Sequence, residues 1–144
     1  MLRLKKKLIL ISVFVLLSIL LTAGYFYFRS PKTLADVVGS QFMEPDQLII
    51  LDGSNGNKRE LKKEEREEML ELLRTVKILD SESIELTHGS SFIQFIKGGD
   101  RFNLLIHEGT SFKIHDPDDS ARMIVYHMEK EGGQEIRKKM KLSF

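Results

Sequence analysis

The run Leu8–Phe28, LILISVFVLLSILLTAGYFYF, holds 21 residues without one charge. As a helix rising about 1.5 Å per residue it reaches roughly 30 Å, the hydrocarbon thickness of a bilayer. It closes on Tyr25, Phe26, Tyr27 and Phe28, rings suited to the membrane–water interface. The chain therefore reads as a single-pass signal-anchor carrying one small domain.

Arg3, Lys5, Lys6 and Lys7, with the terminal amine, precede this run, and only Arg29 and Lys32 closely follow it. That bias keeps the N-terminus in the cytoplasm and sends the remainder across the cell membrane. A cleaved signal peptide has the same basic start and apolar middle. Here, however, the run exceeds the usual signal core of roughly 7–15 residues. It also continues through four aromatics beyond the only small-residue cluster, Thr22-Ala23-Gly24. An uncleaved anchor is the expectation. With no cysteine there is neither a lipid-bearing thiol nor a disulfide, so the domain must be held by its apolar core alone. That pattern suits a bacterial surface protein.

The expected organisation is a basic cytoplasmic N-terminus over 1–7, a transmembrane helix over 8–28, a juxtamembrane linker and short helix over 29–46, and an extracytoplasmic α+β domain over 47–144. Six of the 22 basic residues lie at or before Lys32, where no acid occurs, leaving 16 basic against 21 acidic residues beyond it, a net charge of −5. Nucleic acid is thereby excluded as an expected partner, because phosphate binding needs a net basic surface.

Thr33-Leu34-Ala35-Asp36 has the form of a capping box with Asp in the usual Glu position. Leu34, Val37, Val38 and Phe42 then fall at helical spacing, predicting a short helix over 33–42 that covers the core. Gln47–Asp52 is an apolar run leading into Asp52-Gly53-Ser54-Asn55-Gly56. Asn55-Gly56 predicts a two-residue hairpin turn that sets Ile50 opposite Leu61 and Asp52 opposite Arg59. A phosphate-binding loop would instead open a helix with Gly-Lys-Ser/Thr, whereas Gly56 leads into a strand. Lys62–Lys77 predicts a helix with one stripe of Met69, Leu72, Leu73 and Val76 and an acid-rich first half. Its glutamates, Glu64, Glu65, Glu67, Glu68 and Glu71, read as a solvated face rather than a metal site.

Residues 83–115 predict a four-strand antiparallel meander. A turn at Gly89-Ser90 pairs Leu86 with Ile93 and Ile84 with Phe95. Another at Gly98-Gly99 pairs Phe95 with Phe102 and Ile93 with Leu104. A three-residue loop, Gly109–Ser111, sets Ile106 opposite Ile114. One face then carries Ile84, Leu86, Ile93, Phe95, Phe102, Leu104, Ile106, Phe112 and Ile114, for the helix stripe to cover. The other carries Phe92, Gln94, Ile96, Arg101, Asn103, Leu105, His107, Lys113 and His115, a mixed surface that is the candidate partner-binding face. Asp116–Ser120 reads as a turn and helix start. Ala121–Glu131 reads as helix more readily than as a further strand, Gly132-Gly133 breaks it, and Gln134–Lys141 forms a second short helix.

In this register His107 and His115 are a diagonal pair at about 7–8 Å, loose for a shared zinc. With no HExxH, no cysteine and no GxSxG serine, no metal, cofactor or catalytic residue is assigned, and the chain is not expected to be an enzyme. The overall expectation is α+β: an N-terminal transmembrane helix, then an antiparallel sheet made of a hairpin plus the meander, with a helix on one face.

The order of a basic start and single span, QLIILDGSNGNKREL, KKEEREEMLELLRTVKIL and SSFIQFIKGGDRFNLLI resembles small anchored extracytoplasmic proteins of Bacillus-type bacteria, many of unknown function. The resemblance implies an envelope location and a β-rich domain and carries no catalytic residues. The absent lipobox cysteine leaves the helix as the attachment. The expected role is a membrane-anchored binding or accessory module with an envelope protein as partner. A ligand-sensing or immunity-type protein is the alternative, and an envelope hydrolase the third.

Overall fold

The computed structural model describes residues 1–88 and 91–140. The expected Gly89-Ser90 turn and Lys141, the last residue of the expected C-terminal helix, lie outside them. The chain divides into two units, Met1–Ser30 and Pro31–Phe144.

The first unit is one helix, α1, Leu2–Arg29, with none of its residues buried. It is long and apolar enough to cross a membrane. Its polar side chains turn back on the helix: Ser12, Ser18 and Thr22 each donate to the carbonyl four residues earlier, at 3.0, 2.9 and 2.8 Å. Hydroxyls satisfied in this way do not need water. At the far end the Arg29 guanidinium lies 4.8 Å over the Tyr25 ring.

The second unit is α+β. In chain order it contains α2 (Leu34–Val38), a 3-10 turn (Ser40–Phe42), β1 (Gln47–Leu51), β2 (Lys58–Glu60), α3 (Lys63–Thr75), β3 (Ile78–Glu85), β4 (Phe92–Lys97), β5 (Asp100–Ile106), β6 (Ser111–His115), β7 (Arg122–Met128) and α4 (Lys130–Met140). The seven strands form one antiparallel sheet in the order β2-β1-β4-β5-β6-β7-β3.

Local signals act as the sequence suggests. Asp36 accepts from the backbone N–H groups of Thr33 and Lys32, both at 2.9 Å, while Thr33 accepts from Asp36, completing the capping box of α2. Leu34, Val38 and Phe42 go into the core. In α3 the stripe Met69, Leu73 and Val76 is buried, joined by Leu70, with Leu72 packed at its margin. Gly98 and Gly99 both have positive φ, 56° and 94°, and close the β4–β5 hairpin in the expected register, Phe95 on Phe102 and Ile93 on Leu104.

Two loops differ from expectation by two residues, which preserves which face each side chain takes. In the first hairpin Ile50 faces Arg59 rather than Leu61. Asp52 draws the loop together by accepting from Ser54 N, Ser54 Oγ and Asn55 Nδ2, so four residues turn instead of two. Between β5 and β6 the loop is Glu108–Thr110, so Ile106 faces Phe112 rather than Ile114.

Three larger expectations are overturned. β3 does not pair with β4. It lies on β7 at the far edge, and β1 takes the place beside β4, with Leu48 on Phe95 and Ile50 on Ile93. Ile84 consequently lies on the face opposite Ile93, and Leu86 lies outside the strand, 39% exposed. Ala121–Glu131 contains a strand, β7, rather than a helix. Held between β6 and β3, it buries Met123 and Val125 on one face and Tyr126 and Met128 on the other. Such two-sided burial erases the period-2 signature in sequence. Gly132 and Gly133 lie inside α4 and do not break it. A Cβ on Gly132 would stand 2.7 Å from a Val76 methyl, and one on Gly133 2.6 Å from Thr110 Cβ, so these glycines let the helix approach its neighbours.

The core lies between the helices and the inner sheet face. Leu48, Ile93, Phe95, Leu104 and Phe112 are fully buried there with Leu34, Met69, Leu73, Ile136 and Met140. Each such side chain contributes about 1.5–3 kcal/mol of burial.

Candidate functional site

Alternation along the strands carries Phe92, Gln94, Ile96, Arg101, Asn103, Leu105, Lys113 and His115 to the outer face of one sheet, with His107 just past the end of β5. The face has two regions that differ in what covers them.

Over β1, β4 and β5 it is open. Phe92, Ile96 and Leu105 are half-buried beside Ile49, while Arg101 and Asn103 are exposed. Gln94 donates to Asn103 at 3.0 Å across the strands. Over Lys113 and Met123, in β6 and β7, it is roofed, while His115 at the end of β6 is exposed. Leu86, leaving β3, donates its N–H to Ala121 O, and Thr87 Oγ1 stands 3.8 Å from Met123 Sδ. Beneath that roof Lys113 is 3% exposed, and its Nζ donates to Thr87 Oγ1 at 2.5 Å. Burial holds the Lys113 ammonium below its ordinary pKa. Among the described residues no carboxylate lies within ion-pair distance of it. Lys113 therefore cannot serve as an exposed contact residue. The sequence missed this because the covering chain comes from β3, which it placed elsewhere.

The two histidines of the expected diagonal pair are not brought together. The shifted β5–β6 loop sets His107 opposite Ser111, its N–H donating to Ser111 O at 2.9 Å. His115 lies four residues further along β6, at about 13 Å by strand rise. Among the described residues no group of three His, Cys, Asp or Glu side chains is placed to hold a metal ion. The α3 glutamates pair instead with basic neighbours: Glu65 with Arg59 at 2.9 Å, Glu71 with Arg74 at 3.6 Å, and Glu68 with Lys139.

A cluster absent from the sequence reading lies beside Lys113. Ser111 is 6% exposed and its Oγ is 2.7 Å from His127 Nδ1, whose other nitrogen is 3.1 Å from Glu82 Oε1. No local motif links these three residues. Only the β6-β7-β3 order aligns them.

The sheet edges are poor templates for strand addition. β2 is three residues long and charged, and β3 carries Asp80, Glu82 and Glu85 with an irregularity between Ile78 and Asp80.

Fold and face together define a class: a single apolar helix followed by an α+β domain whose helices cover one side of a seven-strand sheet. No family model matches the chain, and no curated protein or solved structure matches it either.

Proposed function

We propose that this protein is a membrane-anchored extracytoplasmic contact module of the bacterial envelope. α1 stays in the membrane with its basic end in the cytoplasm, and the domain after Ser30 engages an envelope protein through the open part of the outer sheet face. The resemblance of the sequence pattern to small anchored proteins of Bacillus-type bacteria supports the location, as does the internal satisfaction of the α1 hydroxyls.

The observation that carries the contact reading is the set Ile49, Phe92, Ile96 and Leu105. These apolar side chains are half-buried and interleaved with Gln94, Asn103 and Arg101, on the face opposite the helix-covered core. An apolar centre with a polar rim is the composition of a protein contact surface. No catalytic, metal or cofactor role is assigned to it.

A photo-crosslinking residue at Ile96, introduced in the cell's own membranes, is expected to capture one discrete partner band. Phe92→Ser with Arg101→Glu is expected to abolish that capture while thermal unfolding of the domain remains cooperative. Absence of a specific band, or capture unchanged in the folded double variant, would show this face to be passive.

A further inference from the structure

Three outer-face side chains on consecutive strands form one hydrogen-bonded chain. The register sets Ser111 of β6 opposite His127 of β7, and His127 opposite Asp80 of β3, with Glu82 one step along the same face. Ser111 Oγ is 2.7 Å from His127 Nδ1. His127 Nε2 is 3.1 Å from Glu82 Oε1 and 4.0 Å from Asp80 Oδ1. Two carboxylates facing Nε2 favour the tautomer with its hydrogen there, so Nε2–H donates to Glu82. Nδ1 is then the acceptor for the Ser111 hydroxyl proton. Hydroxyl, imidazole and carboxylate thus stand in the order that nucleophilic catalysis requires, each within hydrogen-bond reach of the next.

We propose that Ser111, His127 and Glu82 are the nucleophile, general base and orienting carboxylate of an acyl-transfer site that hydrolyses small esters. This activity goes beyond the contact reading and does not depend on it. Ser111 Oγ bonds to the ester carbonyl carbon as its proton passes to His127 Nδ1, and Glu82 stabilises the imidazolium so formed. Collapse of the tetrahedral adduct breaks the ester C–O bond, and the Nδ1 proton leaves with the alcohol. Water then attacks the acyl-serine by the same route, releasing the acid and restoring Ser111.

Two features shape the substrate. Ser111 is 6% exposed whereas the His127 side chain is 38% exposed, so the proposed substrate carries a small acyl group rather than a fatty chain. Lys113 follows two residues along the same face, about 7 Å away by strand rise. It is buried without a carboxylate partner among the described residues, and its positive field favours the oxyanion.

The test uses the full-length chain in detergent micelles, with p-nitrophenyl acetate and a small alkyl fluorophosphonate as probes and peptide mapping by mass spectrometry. The expected result is one covalent adduct on Ser111 together with nitrophenol release, both lost in Ser111→Ala. His127→Gln should slow labelling at least ~100-fold, the scale of a removed general base, and Glu82→Gln should slow it less. Because His127→Gln can loosen β3, Ser111→Cys supplies a second reading: its thiol should alkylate with iodoacetamide faster than a free cysteine thiol, and that advantage should vanish in the background of His127→Gln. An unmodified Ser111 in the folded chain, a label on another residue, or labelling undiminished by His127→Gln would overturn the proposal. Partner capture at Ile96 reads β4 and not this row, so either proposal can fail alone.

Discussion

Replacing Gly132 by alanine tests how closely α4 approaches the end of α3. In an ordinary exposed helix the change is stabilising by up to about 1 kcal/mol, because glycine carries the larger backbone entropy cost. Here the added Cβ would meet Val76 Cγ2 at 2.7 Å, Cγ1 at 3.0 Å and Cβ at 3.2 Å. Val76 is 2% exposed and β-branched, so its rotamer cannot easily give way. The backbone cannot readily give either, because Lys77 N–H donates to Glu129 Oε1 at 3.1 Å and Glu129 N–H to Lys77 O at 3.2 Å, tying the two segments together. Overpacking of this kind costs about 1–3 kcal/mol. The net expectation for Gly132→Ala is therefore a loss of up to about 2 kcal/mol. Val76→Ala removes both γ-carbons and leaves only the 3.2 Å approach. In that background the same Gly132→Ala change should turn neutral or stabilising by up to about 1 kcal/mol. Equilibrium urea unfolding of the full chain in detergent, followed by near-ultraviolet circular dichroism, gives all four corners of the cycle. Gly132→Ala stabilising the unaltered chain, or costing the same in both backgrounds, would refute the packing argument.

Lys113→Met removes a buried ammonium while keeping the aliphatic stem. Burial lowers the Lys113 pKa in the folded state, so between that value and the unfolded value near 10.5 the unfolded chain binds more protons and stability climbs with pH. Urea titrations at rising alkaline pH should show this climb in the unaltered chain and lose it in Lys113→Met; a climb unchanged by the substitution would contradict the buried-lysine reading. The Asp46 carboxylate accepts from Gly98 N–H at 2.8 Å and lies near Lys97, which together hold its pKa below the usual carboxylate value. Its contribution is present above the unfolded value near 3.8 and lost as pH falls through the lower folded value, so Asp46→Asn should flatten the acid limb of thermal stability below pH 4, and an unaltered limb would argue against it. For α1, a cysteine placed at Ser54 should react with a membrane-impermeant maleimide in intact cells, while one placed at Leu2 reacts only after lysis; the reverse pattern would invert the proposed orientation.

Much of the domain is legible because face assignment depends only on parity. The Asp52 loop and the Glu108–Thr110 loop each slip the register by two residues from the expected pairing, yet Ile50, Ile106, Phe112 and Ile114 keep the inner side of the sheet. Capping chemistry at Thr33 and Asp36, paired positive-φ glycines at Gly98-Gly99 and the α3 stripe are local devices, and local devices announce themselves in sequence. Gly132-Gly133 shows the limit of that logic. The pair looks like a break when read alone and becomes a close approach once Val76 and Thr110 are set against it.

Strand order is a different kind of information. Ile84 and Leu86 alternate well enough to form a hairpin with Ile93 and Phe95, but β1 offers Leu48 and Ile50 to the same partners with greater burial. The acidic segment ILDSESIE is then better placed at an edge, where its charges stay wet and β7 still supplies a backbone ladder. That choice moves β3 across four strands, β4 to β7, and the consequences concentrate on one surface. It brings Thr87 over Lys113, buries Met123 and Val125, and sets Glu82 against His127 and so next in line to Ser111. The part of the outer face carried by β4 and β5 follows from their short Gly98-Gly99 hairpin, whereas Ile49 joins it through a β1–β4 pairing of residues 45 positions apart, Ile49 with Gln94. Over β6 and β7, Ser111 meets His127 through strands joined by a short connection, but Glu82 reaches His127 only through a pairing between residues about 45 positions apart in the chain. Local periodicity carries no signal of such a pairing, because the two strands are each compatible with several neighbours and only burial in the assembled sheet decides among them.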